Sequence, residues 1–219
     1  MLSTMKRRQG NTQEPKRDKQ KSMQKLLHSV GAILQKDGYK ALKANNIAAH
    51  AKLDKKLIYN YFGSLGGLID AYLKKNDFWK KTEAITEKVP LTDLKPDTVV
   101  EILKGQFLFL ENSVEMQHII LWELCEKNPL LRDILEERER FGEQLFQLSD
   151  KYFKGTSVNF RAINALLVSA IYYIILHARY NNNTICGVST TTEKGREQLF
   201  KAIEQIINWC YREAAEERK

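Results

Sequence analysis

Residues Ile47 to Phe62, IAAHAKLDKKLIYNYF, constrain the fold of this 219-residue chain more than any other stretch. Ile47, Ala51, Leu53, Ile58 and Phe62 recur at spacings that turn them toward one small core, and Ala48 is small enough for two helices to cross closely. The pattern predicts two short helices, about 44–51 and 55–61, meeting at a tight turn. Lys55, Lys56, Tyr59, Asn60 and Tyr61 are then left outside. Cations, hydroxyls and an amide on the outer face of a short helix suit the floor and phosphate walls of a DNA groove better than an enzyme pocket.

Charge is distributed in the same sense. Residues 1–81 carry 18 Lys+Arg against 6 Asp+Glu, a local charge of +12, whereas residues 82–219 carry 17 against 21, or −4. A basic module joined to a mildly acidic body is the footprint of polyanion binding. A solvated lysine-rich surface would give the same count, so charge alone does not choose between them. The three cysteines, Cys125, Cys186 and Cys210, are far apart and belong to no Cys/His cluster, which argues against a disulfide framework or structural zinc. They fit a reduced, cytoplasmic setting. No secretory apolar segment opens the chain, and the longest nearly apolar run, 163–176, is shorter than the roughly 20 residues a bilayer needs. No membrane role is expected.

Residues 1–19 are polar and aperiodic and are expected to form a disordered basic arm. From Lys21 the apolar residues Met23, Leu26, Leu27, Val30, Ile33 and Leu34 follow helical steps, and Gly38 supplies the stop. Asp54 is placed to cap the helix after the turn, and Ser64 to cap a fourth helix that carries Leu65, Leu68, Ile69, Tyr72, Leu73 and Trp79 and runs to about Glu87. A loop between Pro90 and Pro96 marks the boundary between a first domain, 20–87, and a second, 97–219.

The second domain is expected to be helical throughout: 97–112, 114–125, 129–153, 158–180 and 193–215. In the third of these, Glu136 to Arg140 are expected to form mostly a solvated face. No segment sustains a period of two, so the fold class is all-α. The helix at about 158–180 is apolar around most of its circumference, through Phe160, Ile163, Leu166, Leu167, Val168, Ala170, Ile171, Ile174 and Ile175. Such a helix needs neighbours on both sides. Pairing it and the last helix with a second copy of the chain would make a four-helix homodimer interface; an internal core helix in a monomer is the other reading.

The stretch from about Lys21 to Leu73 resembles the TetR family of bacterial transcriptional repressors. The resemblance rests on Gly38-Tyr39, Ile47-Ala48, Ala51-Lys52-Leu53-Asp54 and Ile58-Tyr59-Asn60-Tyr61-Phe62 followed by Leu68, with the family's spacing kept without a gap. It implies a three-helix helix-turn-helix DNA-binding domain and a larger helical domain that binds an effector and dimerises. Four departures stand out. Lys43 replaces a capping, phosphate-touching threonine; lysine can still reach phosphate but cannot cap. Lys52 replaces the turn glycine, at a cost on the order of 1 kcal/mol if φ is positive there. Leu65 replaces a lysine that contacts the DNA backbone. Gly66 and Gly67 loosen the start of the fourth helix by roughly 1 kcal/mol each relative to Ala, read here as tolerated variation.

The DNA-contacting candidates are therefore Lys43, Asn45, Lys55, Lys56, Tyr59, Asn60 and Tyr61, on a double-stranded operator. For Tyr61 a place at the edge of the core competes with DNA contact, and for Asn45 surface capping does. Candidate residues for an unidentified small-molecule effector are Phe107, Trp122, Cys125, Phe146, Tyr172, Tyr173 and His177, an aromatic set with polar tips that could equally be core. His118 and His177 fit structural roles. No metal-spaced set, phosphate loop or nucleophile–base pair is visible, so neither cofactor nor catalysis is expected. The implied function is a homodimeric repressor released from a palindromic operator by its effector. A helical small-molecule-binding protein of the same fold with lost operator recognition is the alternative; an all-α enzyme has thinner support.

Overall fold

A chain with three- and four-residue apolar spacing and no alternation should bury its hydrophobic groups between helices, and it does. The computed structural model describes residues 14–76, 94–181 and 184–219, with side chains described from residue 18. Among them the regular elements are nine α-helices and one 3-10 turn, and the sole extended pairing is an isolated bridge between Ile185 and Val188. The chain divides into two compact units between Lys75 and Asn76.

The first unit comprises α1 (Glu14–Asp37), a 3-10 turn (Tyr39–Ala41), α2 (Ala44–Ala51), α3 (Lys56–Phe62) and α4 (Leu65–Lys75). Helix α1 starts about two turns before the expected Lys21, so residues 14–19 are helix rather than arm. Pro15 does not prevent this, because the first turn of a helix leaves its N–H groups without intrahelical partners. The rest of the predicted arm, residues 1–13, lies outside the described residues, as do Trp79, the predicted end of the fourth helix near Glu87 and most of the predicted boundary loop.

Leu26, Val30 and Leu34 of α1 meet Ile47 of α2, Ile58 of α3 and Leu68 of α4 in a core where each is at most 1% exposed. Full burial of such a side chain contributes about 1.5–3 kcal/mol. Helices α1 and α2 are also joined by a polar contact. The buried Ser29 hydroxyl donates to the Lys25 carbonyl at 2.8 Å and lies 2.9 Å from His50 Nδ1. With its proton given to Lys25, Ser29 Oγ accepts from His50 Nδ1–H.

The turn between α2 and α3 passes through Lys52 at φ 55° and ψ 45°, the left-handed conformation, so the condition set for a strain cost at that position is met. The geometry closes α2 by bringing the Leu53 N–H to the Ala48 carbonyl at 3.0 Å. At the start of α4 the expected Ser64 cap is present, with Gly67 N–H donating to Ser64 Oγ at 2.9 Å. Gly67 is more than tolerated variation. A Cβ there would meet the Phe62 carbonyl oxygen at 2.2 Å, so only glycine lets α4 start this close to the end of α3.

The second unit holds α5 (Pro96–Asn112), α6 (Val114–Cys125), α7 (Pro129–Phe153), α8 (Phe160–Asn181) and α9 (Glu193–Glu216). Prolines open α5 and α7, and the side chains of Ser113, Asn128 and Thr192 cap α6, α7 and α9. Helix α5 packs on α9, α8 and α6, and α7 packs on α8. Aromatic rings lock α7, α8 and α9 at one end: Phe153 stacks on Phe160 with centroids 4.1 Å apart, and Tyr211 meets both edge-on. The buried Tyr211 hydroxyl donates to the Leu94 carbonyl. The expected solvated face at Glu136 to Arg140 needs one correction. Arg138 is partly buried and makes a two-pronged pair with Glu123, both bonds 3.1 Å, because the crossing with α6 brings a carboxylate to it.

Candidate nucleic-acid interface and ligand cavity

Helix α3 is only seven residues long and buries one of them completely, Ile58. The others are displayed or shared with the core edge. Asp54 starts it as expected: its Oδ1 accepts from the Lys56 N–H at 2.8 Å, and its carbonyl from the Leu57 N–H at 3.0 Å. A carboxylate at that end complements the helix dipole and fixes the direction in which the first turn faces. Lys55, Lys56, Tyr59 and Asn60 are exposed, Tyr59 by 50% of its surface.

Lys43 and Asn45, at the start of α2, are exposed as well. Lys43 occupies the N-cap without a side-chain capping bond. The local side-chain bond is made by the next asparagine, Asn46, whose Nδ2 donates to the Ala41 carbonyl at 3.0 Å. Tyr61 is partly buried, and the ammonium of Lys19 stands 5.4 Å from its ring centroid. Thus α1 brings a cation to the edge of α3. The sequence hid Lys19, because its basic run fell inside the presumed arm.

The second unit encloses a cavity of about 240 Å³ between α5, α7 and α8, walled by Ile102, Leu103, Leu145, Phe146, Phe160 and Val168 among others. Polar side chains reach it from Gln106, Arg138, Ser149, Asn164 and Tyr172. Gln106 Nε2 donates to the Tyr172 hydroxyl at 2.9 Å, Asn164 Nδ2 to the Phe160 carbonyl at 2.9 Å, and Ser149 Oγ to the Phe146 carbonyl at 3.1 Å. Burial pushes the Tyr172 phenol above its ordinary pKa, which keeps it a proton donor. At one side Arg161 reaches Glu143 at 2.7 Å and Asp150 at 2.6 Å and lies 5.0 Å from the Phe146 ring. Hydrogen bonds from this guanidinium hold both carboxyls below their usual range.

Of the seven residues expected around an effector, Phe146 and Tyr172 line this cavity and the other five do not. Phe107 is 1% exposed and packs edge-on to Phe200, with centroids 5.2 Å apart. Trp122 is buried with its Nε1 donating to Glu126 at 3.2 Å, and Cys125 is exposed. Tyr173, next to Tyr172 but about 100° around the helix, is 63% exposed. His177 lies 5.8 Å from the Tyr173 ring, and its Nδ1 is buried without a hydrogen-bond partner among the described residues. His118 lies 3.2 Å from the Tyr180 hydroxyl, a structural place. Gln106, Arg138, Ser149 and Asn164 were missed: a polar residue in an amphipathic helix carries no mark of the cavity it will face.

Residues 32–72, which contain α2, α3 and most of α4, match the sequence profile of the bacterial regulatory proteins of the tetR family. The HTH-type transcriptional repressor SCO4008 of Streptomyces coelicolor is 22% identical over 198 residues, which span 88% of this chain and 98% of the relative. Over residues 32–72 the chain is similar to the TetR family. These similarities support a DNA-binding regulator as the coarse function. Solved structures repeat the fold. A TetR family transcription regulator from Marinobacter aquaeolei VT8 superimposes with a TM-score of 0.62 at 14% identity, covering 87% of this chain and 97% of its own. NalD, the secondary repressor of the MexAB-OprM multidrug efflux pump in Pseudomonas aeruginosa, gives 0.50 at 17% identity, covering 84% and 96%.

Proposed function

We propose that this chain is a homodimeric repressor that holds a palindromic operator through two copies of α3 and releases it when a small molecule enters the C-terminal cavity. The observation that carries this reading is the α3 face. Lys55, Lys56, Tyr59 and Asn60 are displayed together on a helix whose only fully buried side chain is Ile58. Lysine and asparagine there can reach base edges in the major groove or phosphate, and tyrosine hydroxyls can reach phosphate. Lys43 and Asn45 extend the same role to the start of α2, and Tyr61 to the far end of α3. Repression is taken from the relatives, of which SCO4008 and NalD are both named repressors.

Dimerisation is supported by what α8 and α9 leave uncovered. Leu166, Tyr173 and Tyr180 on α8 are 72%, 63% and 50% exposed, and Trp209 on α9 is 53% exposed. Helix α8 is long and apolar enough, by length and composition alone, to cross a membrane, yet only 28% of its most apolar window is buried within the chain. In a DNA-binding regulator a second copy is the natural cover, giving an interface built from α8 and α9 of each protomer. Such a protein works where the DNA is, in the cytoplasm, and the reading assigns it no catalysis. An effector that prefers one dimer geometry would change operator affinity some 5- to 150-fold for a coupling of about 1–3 kcal/mol.

The test is selection of genomic fragments by the full-length protein at low salt. The reading expects enrichment of a dyad-symmetric site whose half-sites place the two α3 helices about 34–36 Å apart or a multiple of that. Failure to enrich any sequence would favour a helical binding protein that has lost operator recognition, a reading motivated by Leu65, a partly buried apolar residue that offers no phosphate anchor.

A further inference from the structure

We propose that the molecule taken by the α5–α7–α8 cavity is uncharged and mostly apolar, with a hydrogen-bond-accepting oxygen such as a carbonyl at one end, received by Tyr172 and Gln106. This rests on the reading of that cavity as the effector site. Size comes first. An apolar protein cavity of roughly 150 Å³ holds benzene, and this one measures about 240 Å³. It therefore admits something larger than a single ring.

Charge comes next. Two arginines stand at the wall, and both are already matched. Arg138 gives two bonds to Glu123, and Arg161 gives two to Glu143 and three to Asp150. Glu139, the remaining charged residue of the lining, lies 3.7 Å from Arg138 Nε. Two cations among four carboxylates leave the surroundings negative. A carboxylate ligand would have to displace Glu123 or the Glu143–Asp150 pair. A cationic ligand would lose its water against walls of leucine, isoleucine and phenylalanine, and the surplus carboxylate of the lining, Glu139, is 80% exposed and screened by solvent.

The polar end then sets the functional group. Tyr172 Oη accepts from Gln106 Nε2 at 2.9 Å, and the Arg138 guanidinium lies 6.0 Å from the Tyr172 ring centroid. With its oxygen accepting from Gln106, the Tyr172 O–H proton has no acceptor among the described residues. If the Gln106 amide is turned over, Tyr172 donates to Oε1 and the two amide hydrogens are left instead. Either way the pair offers surplus donors at the edge of an apolar space. An acceptor on the ligand satisfies them, whereas a hydrocarbon leaves them unmade.

Calorimetric titration of the full-length protein, without DNA, against benzophenone, diphenylmethane and diphenylacetate tests this with three molecules of similar shape. The ketone should bind about 2- to 13-fold more tightly than the hydrocarbon, the span of one net hydrogen bond, and the carboxylate most weakly. Tyr172→Phe with Gln106→Leu should erase the ketone's advantage and keep hydrocarbon binding, which also shows that the variant folds. Leu145→Trp, which fills the space, should abolish binding of both. Tightest binding by the carboxylate, equal binding of ketone and hydrocarbon, a ketone preference that survives the double variant, or binding of none of the three would each overturn the proposal. A ketone that binds as expected without changing operator affinity would sink the effector reading and leave the ligand class standing.

Discussion

The two units handle polar and apolar groups in opposite ways. In the first, apolar side chains from four helices fill one core, and α3 turns its cations, hydroxyls and amide outward. In the second, large apolar side chains of α8 and α9 face outward, while Gln106, Asn164 and Tyr172 point into an unfilled interior. The first unit thus presents its polar groups on a filled core. The second unit leaves both an apolar outer face and an internal space. On the proposed reading its outer face takes a second copy and its cavity a small molecule, which makes it the half in which assembly and ligand can be coupled.

The sharpest way to break this contrast is to charge the exposed apolar face. Leu166→Asp with Trp209→Asp should convert the dimer to monomer in sedimentation velocity, since an unpaired buried charge costs roughly 3–5 kcal/mol. Circular dichroism should keep its helical signal, because both positions are open in the single chain. A dimer that survives would move the interface elsewhere. Next in size is Gly67→Ala. The new methyl meets the Phe62 carbonyl, and thermal unfolding should show a loss of about 1–3 kcal/mol despite alanine's better helix propensity. A stabilised variant would mean that the glycine is only tolerated. Lys52→Gly should act the other way, raising stability by up to about 1 kcal/mol in chemical denaturation as the left-handed strain is relieved. The smallest effect concerns the ion cluster of α7 and α8. Glu143 and Asp150 have carboxyls held below their ordinary range by Arg161. Their contribution is therefore complete above the unfolded carboxylate pKa and is lost as pH falls through the depressed values. Arg161→Gln should therefore lower the melting temperature slightly near neutrality and leave it unchanged in strong acid, which flattens the acid limb.

The helices and the surface of α3 were legible in the sequence for one reason. Periodicity separates the inside of a helix from its outside, and for a seven-residue helix with Ile58 inward, the outside is the face proposed to contact DNA. The Asp54 and Ser64 caps followed from local chemistry, whereas the conformation at Lys52 was raised only conditionally, through the turn glycine of the family it resembles. The cavity was not legible in that way. Tyr172 and Tyr173 are equivalent to a period of 3.6 in a helix apolar nearly all round, and only the crossing of α5 and α7 decides which one faces inward. Arg138 sat in a run of charges that reads as solvated until Glu123 of α6 is brought beside it. The start of α1 was misplaced because a polar helical turn has no hydrophobic signature, and Lys19 was lost with it.

The account depends most on α3 being the surface that grips DNA. Fluorescence anisotropy on the genomically selected site, repeated across a range of salt, measures this directly for the natural chain and for Lys55→Ala with Lys56→Ala. If both lysines neutralise phosphates on each protomer, the log–log salt slope should shrink by about 0.9 per contact, while sedimentation and melting stay unchanged. An unaltered slope and affinity in a folded, dimeric variant would contradict the account.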